Sequence, residues 1–194
     1  AAAAIGAALQ VQSIAFFAPS HNGRFVAYGL SAGGLDEAVL HVVDVASGKE
    51  LGAPIDRTQC SDPMWAADDS GFFYRRQRAL AAGAPAGEMF AGQTAFFHRL
   101  AGHGADQAVI VAEADDHFAI AATQAPLVAP IAGTRWVAAI PVDGVASEFG
   151  LYAVPQAEVF APRLKWRKVF GREAGCTGFA VHGDDRLSYR NPLA

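Results

Sequence analysis

Short apolar runs alternate along the chain with clusters of glycine, aspartate and asparagine. The runs are rich in β-branched and aromatic residues, as is typical of strands in antiparallel hairpins. The best helical window, LDEAVLHVVDVA at 35–46, contains a Val-Val-x-Val core that disfavours a helix. The pattern therefore predicts strands over 24–30, 38–45, 71–77, 94–100, 108–113, 135–140 and 149–154.

Turn glycines recur along the chain, and each precedes an apolar strand. They are Gly23, Gly71, Gly133 and Gly183, separated by 48, 62 and 50 residues. A repeat of about 40 to 50 residues with four short strands per unit is typical of β-propeller blades. The longest interval holds an insertion, RALAAGAPAGEMFAGQ at 78–93. A β-sandwich is the competing interpretation, but it does not predict regular spacing. We therefore predict an all-β fold of four-stranded antiparallel blades.

The segment GLSAG at 29–33 spells G-x-S-x-G, the motif of the nucleophile elbow in serine hydrolases. An elbow needs a buried strand, a strained turn and a helix directly behind the serine. Asp115 and His182 follow Ser31 in the acid-then-histidine order of such a triad, but they fall in other units of the repeat. The blade prediction places a strand after Ser31 instead of a helix. We therefore predict that Ser31 is not catalytic.

The composition limits the classes of partner. Hydrophobic residues make up 52% of the 194 positions and charged residues 18%, which is typical of a globular chain with a core. The net charge of −4 and the scattered basic residues predict neither a nucleic-acid nor a membrane partner. No run of 18 apolar residues is present, and AAAAIGAALQ lacks the positive start of a signal peptide. We expect a soluble protein, with cytoplasm and periplasm both left open.

Residues that could hold a metal or cofactor form no motif. The six histidines show no H-x-H or i, i+4 pairing, and the glycine-rich segments lack G-x-x-x-x-G-K. The paired acids at 115–116 and 184–185 fall between strands, where aspartate commonly caps the backbone. Cys60 and Cys176 lie far apart and are interpreted as two unrelated buried thiols. We expect no cofactor and no metal ion.

Several of these segments, taken in order, resemble the propeller of the prolyl oligopeptidase family. They extend over about residues 11–190 and read NGRFVAYGLSAGG, LHVVDVASGKEL, MWAADDSGFFYRR, AFFHRL, WRKVFGREAG and FAVHGDDRL. The resemblance implies a seven-bladed β-propeller joined to an α/β-hydrolase domain with a serine–aspartate–histidine triad that cleaves after proline in short peptides. It also implies that the propeller covers the active site and restricts entry to small, flexible substrates.

By this resemblance the chain is an incomplete part of a propeller that lacks the hydrolase domain, so we expect no catalytic residue in it. The implied blades span approximately 11–58, 59–115 and 116–170, with the start of another at 171–194. The implied partners are the α/β-hydrolase domain of the same parent chain and short peptide substrates. An incomplete propeller leaves apolar sheet faces uncovered, so we expect self-association, with Phe179 and Val181 on one uncovered face.

One substrate-contacting candidate follows from the resemblance. A family aromatic that reaches toward the substrate cavity from a G-x-F-Y strand matches Phe73, whose alternative role is that of a core aromatic. Val142 takes the position at which some members place an inward arginine. The turns also depart from the family, with APSHNG at 18–23 and ADDSG at 67–71 in place of SPDG and PDG. A non-catalytic propeller that binds protein or peptide partners is the alternative function.

Overall fold

The computed structural model of the chain describes residues 12–32, 37–59, 62–101, 104–111, 120–144, 146–161, 164–183 and 186–190. Within these residues the regular structure consists of 15 β-strands and three 3-10 helices, and it includes no α-helix. The 3-10 helices are Ala86–Phe90, Gln156–Glu158 and Arg172–Ala174. The all-β prediction is therefore confirmed.

The strands form four consecutive groups along the chain. The first group contains β1 (Gln12–Pro19), β2 (Phe25–Ala32), β3 (Glu37–Asp44), β4 (Lys49–Glu50) and β5 (Ile55–Gln59). The second contains β6 (Met64–Trp65), β7 (Gly71–Arg76), β8 (Thr94–Arg99) and β9 (Gln107–Val111). The third contains β10 (Ala125–Pro130), β11 (Trp136–Val142), β12 (Leu151–Pro155) and β13 (Arg167–Phe170). The last is a hairpin of β14 (Gly178–His182) and β15 (Arg186–Arg190).

All strand pairs are antiparallel. The first two groups join into one sheet of order β1-β2-β3-β5-β7-β8-β9, in which β4 pairs with β3 and β6 with β7. That junction rests on one residue pair, Thr58 with Arg76. The third group is a separate sheet of order β10-β11-β12-β13. Consecutive four-stranded antiparallel units are the arrangement of propeller blades, so the chain is part of a β-propeller, as predicted.

The seven strands predicted from the apolar runs are confirmed as β2, β3, β7, β8, β9, β11 and β12, although positions 112 and 113 of the predicted strand 108–113 lie outside the described residues. The first strand of each of the first three groups was missed. In β10, Pro126 and Pro130 argue against a strand when read from sequence, because proline cannot donate to a ladder. The strand forms nonetheless because β10 lies at the edge of its sheet, where one side of the backbone needs no partner.

The turn prediction is correct at three glycines and wrong at Gly71. Gly23, Gly133 and Gly183 have φ of 69°, 73° and 69°. In the second group, however, the left-handed residue is Asp69, with φ of 55°. Gly71 is instead the first residue of β7, where a Cβ would stand 2.0 Å from the carbonyl oxygen of His98. A glycine is therefore required there for close packing between strands and not for the turn.

Two hydrophobic cores lie on opposite faces of β7. Phe72 (fully buried) and Tyr74 pack with residues of the first group, including Leu40. Phe73 and the neighbouring Phe97 pack into a second core that extends to β10–β12 of the third group. Because successive side chains of a strand point to opposite faces, β7 contributes to both cores. The second group is thus packed between the first and the third.

Candidate functional site

Ser31 lies within β2 and is held there as a structural residue. It is 3% exposed, is paired in register with Ser13 of β1, and its Oγ lies 2.9 Å from Ser13 Oγ. A second hydroxyl cannot act as the general base that a serine nucleophile needs. β3 begins at Glu37 as a strand, so the strand–turn–helix of an elbow is missing. Asp115, the acid in the candidate triad, lies outside the described residues.

Gly29, the first glycine of the G-x-S-x-G segment, has a packing role. A Cβ at this position would stand 2.3 Å from the ring of Phe16 on the neighbouring strand. The aromatic ring therefore lies across the glycine and leaves no room for a side chain. The motif in this chain is explained by sheet packing, and Gly33, its last glycine, lies outside the described residues.

The turns of the first two groups are joined by Asp69. Its carboxylate accepts hydrogen bonds from the backbone N–H groups of His21 and Asn22, both at 2.9 Å, and His21 Nδ1 lies 2.8 Å away. Burial alone would raise the pKa of Asp69, but the bonds from His21 and Asn22 outweigh it and lower the pKa below its usual value. A second contact runs beside it, since Trp65 Nε1 donates to the carbonyl of Ala18 at 2.9 Å.

Phe73 lies in the core between the second and third groups. Its side chain is 2% exposed, and its ring contacts that of Phe97 edge-to-face with centroids 4.9 Å apart. The ring also borders a cavity of about 10 Å³, which β7 shares with the start of β10. Such a cavity holds one water molecule. A substrate would reach Phe73 only if this packing opened, and its role as a substrate contact stays a prediction.

A buried tyrosine, a histidine and an aspartate form a polar cluster on the other face of the second group. Tyr74 Oη donates to Asp106 Oδ2 at 2.6 Å, and His98 Nδ1 lies 2.9 Å from Asp106 Oδ1. Burial and the bond to Asp106 raise the pKa of Tyr74 far above its usual value. Burial opposes ionisation of Asp106, but the bonds from His98 and Tyr74 hold its pKa below normal. The cluster connects β7 and β8 to the start of β9.

Three further polar side chains of the second group have hydrogen-bonding atoms without partners. The atoms are Arg75 Nε, both side-chain polar atoms of Gln77, and Gln93 Oε1. Both glutamines are 2% exposed, and Arg75 is half-buried. Buried polar atoms are nearly always hydrogen-bonded in proteins, often to water, so this group of side chains is a place where bound water is expected. Sequence reasoning missed it, because Arg75, Arg76 and Arg78 read as scattered surface charge.

The last hairpin packs on the third sheet and partly closes a cavity. The cavity measures about 250 Å³ and is bordered by Trp136 and Leu151 on one side and by Val181 and Leu187 on the other. Phe179 contacts Phe149 with ring centroids 6.1 Å apart. The expectation that Phe179 and Val181 lie on an uncovered face is therefore wrong. As alternate residues of β14 they point to the same side, which is the side of the third sheet.

Some of the remaining candidates from the sequence lie among the described residues, and the others lie outside them. Within the part of the chain that the structure describes, no group of three or more histidine, cysteine or acidic residues could hold a metal ion, and no helix is long and apolar enough to span a membrane. Cys176 is buried and reduced. Val142 ends β11. Cys60, two of the histidines and the acid pairs at 115–116 and 184–185 lie outside the described residues.

Comparison with known proteins agrees with this architecture. The family model described as "Prolyl oligopeptidase, N-terminal beta-propeller domain" matches residues 6–125. A prolyl endopeptidase studied for the role of inter-domain dynamics in catalysis and specificity is 22% identical, with a TM-score of 0.66 over 82% of this chain. Prolyl oligopeptidase B from Galerina marginata, bound to a 35mer hydrolysis and macrocyclization substrate, is 17% identical over 82% of this chain, with a TM-score of 0.68.

Oligopeptidase B from Leishmania major is more distant, at 10% identity and a TM-score of 0.57 over 82% of this chain. At these identities the likeness shows a shared fold. The chain spans 22%, 23% and 20% of the length of the three structures. It therefore corresponds to less than a quarter of each of those proteins.

Proposed function

Because this chain belongs to the prolyl oligopeptidase family, as part of its N-terminal β-propeller domain, we propose that it gates the access of short proline-containing peptides to an α/β-hydrolase domain of the same parent chain. The proposal rests on the family match over residues 6–125. The fold of the chain as consecutive antiparallel blades agrees with that match. The surroundings of Ser31 support a role for this chain outside catalysis. The Ser31 hydroxyl is buried against that of Ser13, which cannot act as a general base.

We also propose blade boundaries at about 11–58, 59–115 and 116–170, with a further blade beginning at 171–194. The grouping of the strands supports these boundaries. The first two blades are held together at the rim by Asp69 and Trp65, whose bonds reach His21, Asn22 and the carbonyl of Ala18. In a gate that selects by size, such contacts would limit how far neighbouring blades can separate.

The test compares two substrates in the parent protein that contains this propeller. A chromogenic peptidyl-proline substrate reports on short peptides, and a peptide of about 30 residues with one internal proline reports on long ones. Trp65→Phe removes the indole N–H that binds Ala18 but keeps an aromatic ring. We expect it to raise kcat/KM for the long peptide relative to the short one, because the blades can separate further.

The matched control is Trp136→Phe, the same substitution at a tryptophan of β11 in the third blade. A ratio that changes equally in both variants, or in neither, would contradict the gating role. The alternative function, a scaffold that binds partners without catalysis, predicts that the parent protein hydrolyses neither substrate. Phe73→Leu tests the proposed substrate contact separately, with an expected rise in KM for both substrates.

A further inference from the structure

The outward face of the first blade is apolar and exposed. Phe16 packs toward the second blade, so Phe17 and its cross-strand neighbours point away from it. Ile14 lies on the same outward face, and both Ile14 and Phe17 are 66% exposed. Ile14 pairs with Leu30, which in turn pairs with Val39, so the apolar side chains are contiguous across three strands. A contiguous exposed apolar patch is typical of an interaction surface.

A row of rings on this face leads to a carboxylate. Phe17 pairs in register with Tyr28, and the Tyr28 ring stacks on that of His41 with centroids 5.3 Å apart. Tyr28 Oη donates to Glu50 Oε1 at 2.8 Å, and His41 Nδ1 lies 3.2 Å from the same oxygen. The bonds from Tyr28 and His41 lower the pKa of Glu50, so this side chain is negatively charged at neutral pH. Its second oxygen can accept from a partner.

The outward face of the last hairpin has the opposite character, because it is small and basic. Phe179 points toward the third sheet, so its neighbours Gly178 and Ala180 point away from that sheet. These two residues, with Ser188 and Arg190, border a groove of about 360 Å³. A cavity of about 150 Å³ is enough to hold benzene, so the groove has room for a phenyl ring.

We propose that the outward face of the first blade binds the outward face of the last hairpin of a second copy of this chain, with Phe17 in the groove and Glu50 paired with Arg190. The two faces are complementary, since one carries bulky rings and a carboxylate and the other carries small residues and a guanidinium. An arginine that approaches Glu50 also meets the ring of Tyr28, on which a planar guanidinium stacks favourably. The faces differ and lie at opposite ends of the chain, so the contact is head-to-tail.

A second copy fits these faces because blades contact one another through faces of this kind. In a β-propeller the blades repeat around a common axis, and within this chain the second blade packs between the first and the third. Each copy therefore carries both halves of such a contact, one at each end. The contact involves this chain alone and requires neither a hydrolase domain nor peptidase activity.

Sedimentation velocity of the 194-residue chain and of two charge-reversed variants tests the pairing. Glu50→Lys and Arg190→Glu each place like charges at the contact, and each should raise the apparent dissociation constant about 10-fold. In an equimolar mixture the Arg190→Glu copy still offers its acidic face, and the Glu50→Lys copy still offers its basic face. The mixture should therefore associate within about 2-fold of the wild type.

Glu88→Lys is the matched control for the charge. The Glu88 side chain is 47% exposed against 51% for Glu50, but it belongs to the insertion of the second blade. This variant should change the dissociation constant less than about 2-fold. Ala180→Ile tests the groove, because it places a larger side chain where Phe17 would enter. It should weaken association about 10-fold and leave the melting temperature unchanged, since Ala180 is exposed.

A wild-type chain that stays monomeric at every concentration would overturn the proposal. A mixture of the two charge-reversed variants that associates no better than either variant alone would also overturn it. If Glu50→Lys alters association but Arg190→Glu does not, the first blade binds a surface other than the hairpin, and the head-to-tail contact is refuted. An effect of Glu88→Lys as large as that of Glu50→Lys would show that net charge, and not the assigned pair, controls association.

Discussion

Removal of the Asp69 carboxylate should loosen the contact between the first two blades. Asp69 belongs to the β6–β7 turn, but it binds the turn between β1 and β2 through the backbone N–H groups of His21 and Asn22. The carboxylate is 8% exposed, so water does not readily replace these bonds. The backbone of Asp69 is also left-handed, with φ of 55°, which normally favours glycine.

The size of the effect follows from these contacts. Each hydrogen bond to a buried charged group contributes about 1.5–3 kcal/mol, so two backbone bonds contribute about 3 kcal/mol or more to the free energy of unfolding. The His21 ring is 61% exposed, and its ion pair adds at most about 0.5 kcal/mol. A left-handed residue other than glycine costs about 1 kcal/mol. Asp69→Gly should therefore lose about 2 kcal/mol, and Asp69→Ala about 3 kcal/mol or more.

Urea denaturation, followed by tryptophan fluorescence and CD, measures these losses at a concentration where light scattering detects no association. Asp68→Ala is the matched control, because this neighbouring carboxylate is exposed and accepts a hydrogen bond from the backbone N–H of Ser70 within the same turn. It should lose less than about 1 kcal/mol. If Asp69→Ala is no worse than Asp68→Ala, or if Asp69→Gly is worse than Asp69→Ala, the reasoning is refuted.

The pH dependence of stability should also show the contribution of the Asp69 carboxylate. The pKa of Asp69 is lower in the folded chain than its usual value, so its contribution is present above the unfolded pKa near 4 and is lost as the pH falls through the lower folded pKa. The wild type should therefore lose stability more steeply than Asp69→Gly as the pH falls below about 4. Parallel pH profiles for the two proteins would contradict this assignment.

Three further outcomes are expected. Ser31→Ala should leave any peptidase activity of the parent protein within a few-fold of wild type, and a fluorophosphonate probe should not label Ser31. A loss of peptidase activity by several orders of magnitude would restore the interpretation of Ser31 as a nucleophile. Gly29→Ala should cost about 1–3 kcal/mol in a denaturation measurement because its Cβ overlaps an aromatic ring, whereas Gly87→Ala, which meets open space, should be nearly neutral. Light scattering should show that the isolated chain self-associates through β1, where Ile14 and Phe17 are each 66% exposed. Phe17→Lys should reduce this association. A variant that associates as strongly as the wild type would contradict a contact through β1.

The strands that follow a turn could be predicted from the sequence because both signals are local. In β2, apolar and small residues follow the Gly23 turn without interruption, so the backbone conformation is specified by adjacent positions. The same local evidence excluded a helix after Ser31 and with it the nucleophile elbow. In β10 the local evidence misled, because Pro126 and Pro130 are tolerated only at the edge of a sheet, and edge position is a property of the assembled blades.

The partners of polar side chains were decided only by tertiary structure. Asp69 binds residues 47 and 48 positions earlier in the chain, and no local pattern encodes which turns meet when two blades pack. Arg75 reads in the sequence as one of several surface arginines, yet packing buries it partly, and no carboxylate of the described residues forms an ion pair with it. The sequence by itself determined the all-β repeat and the turn glycines Gly23, Gly133 and Gly183. Burial and contact between blades determined the candidate site, because both depend on residues that only the fold brings together.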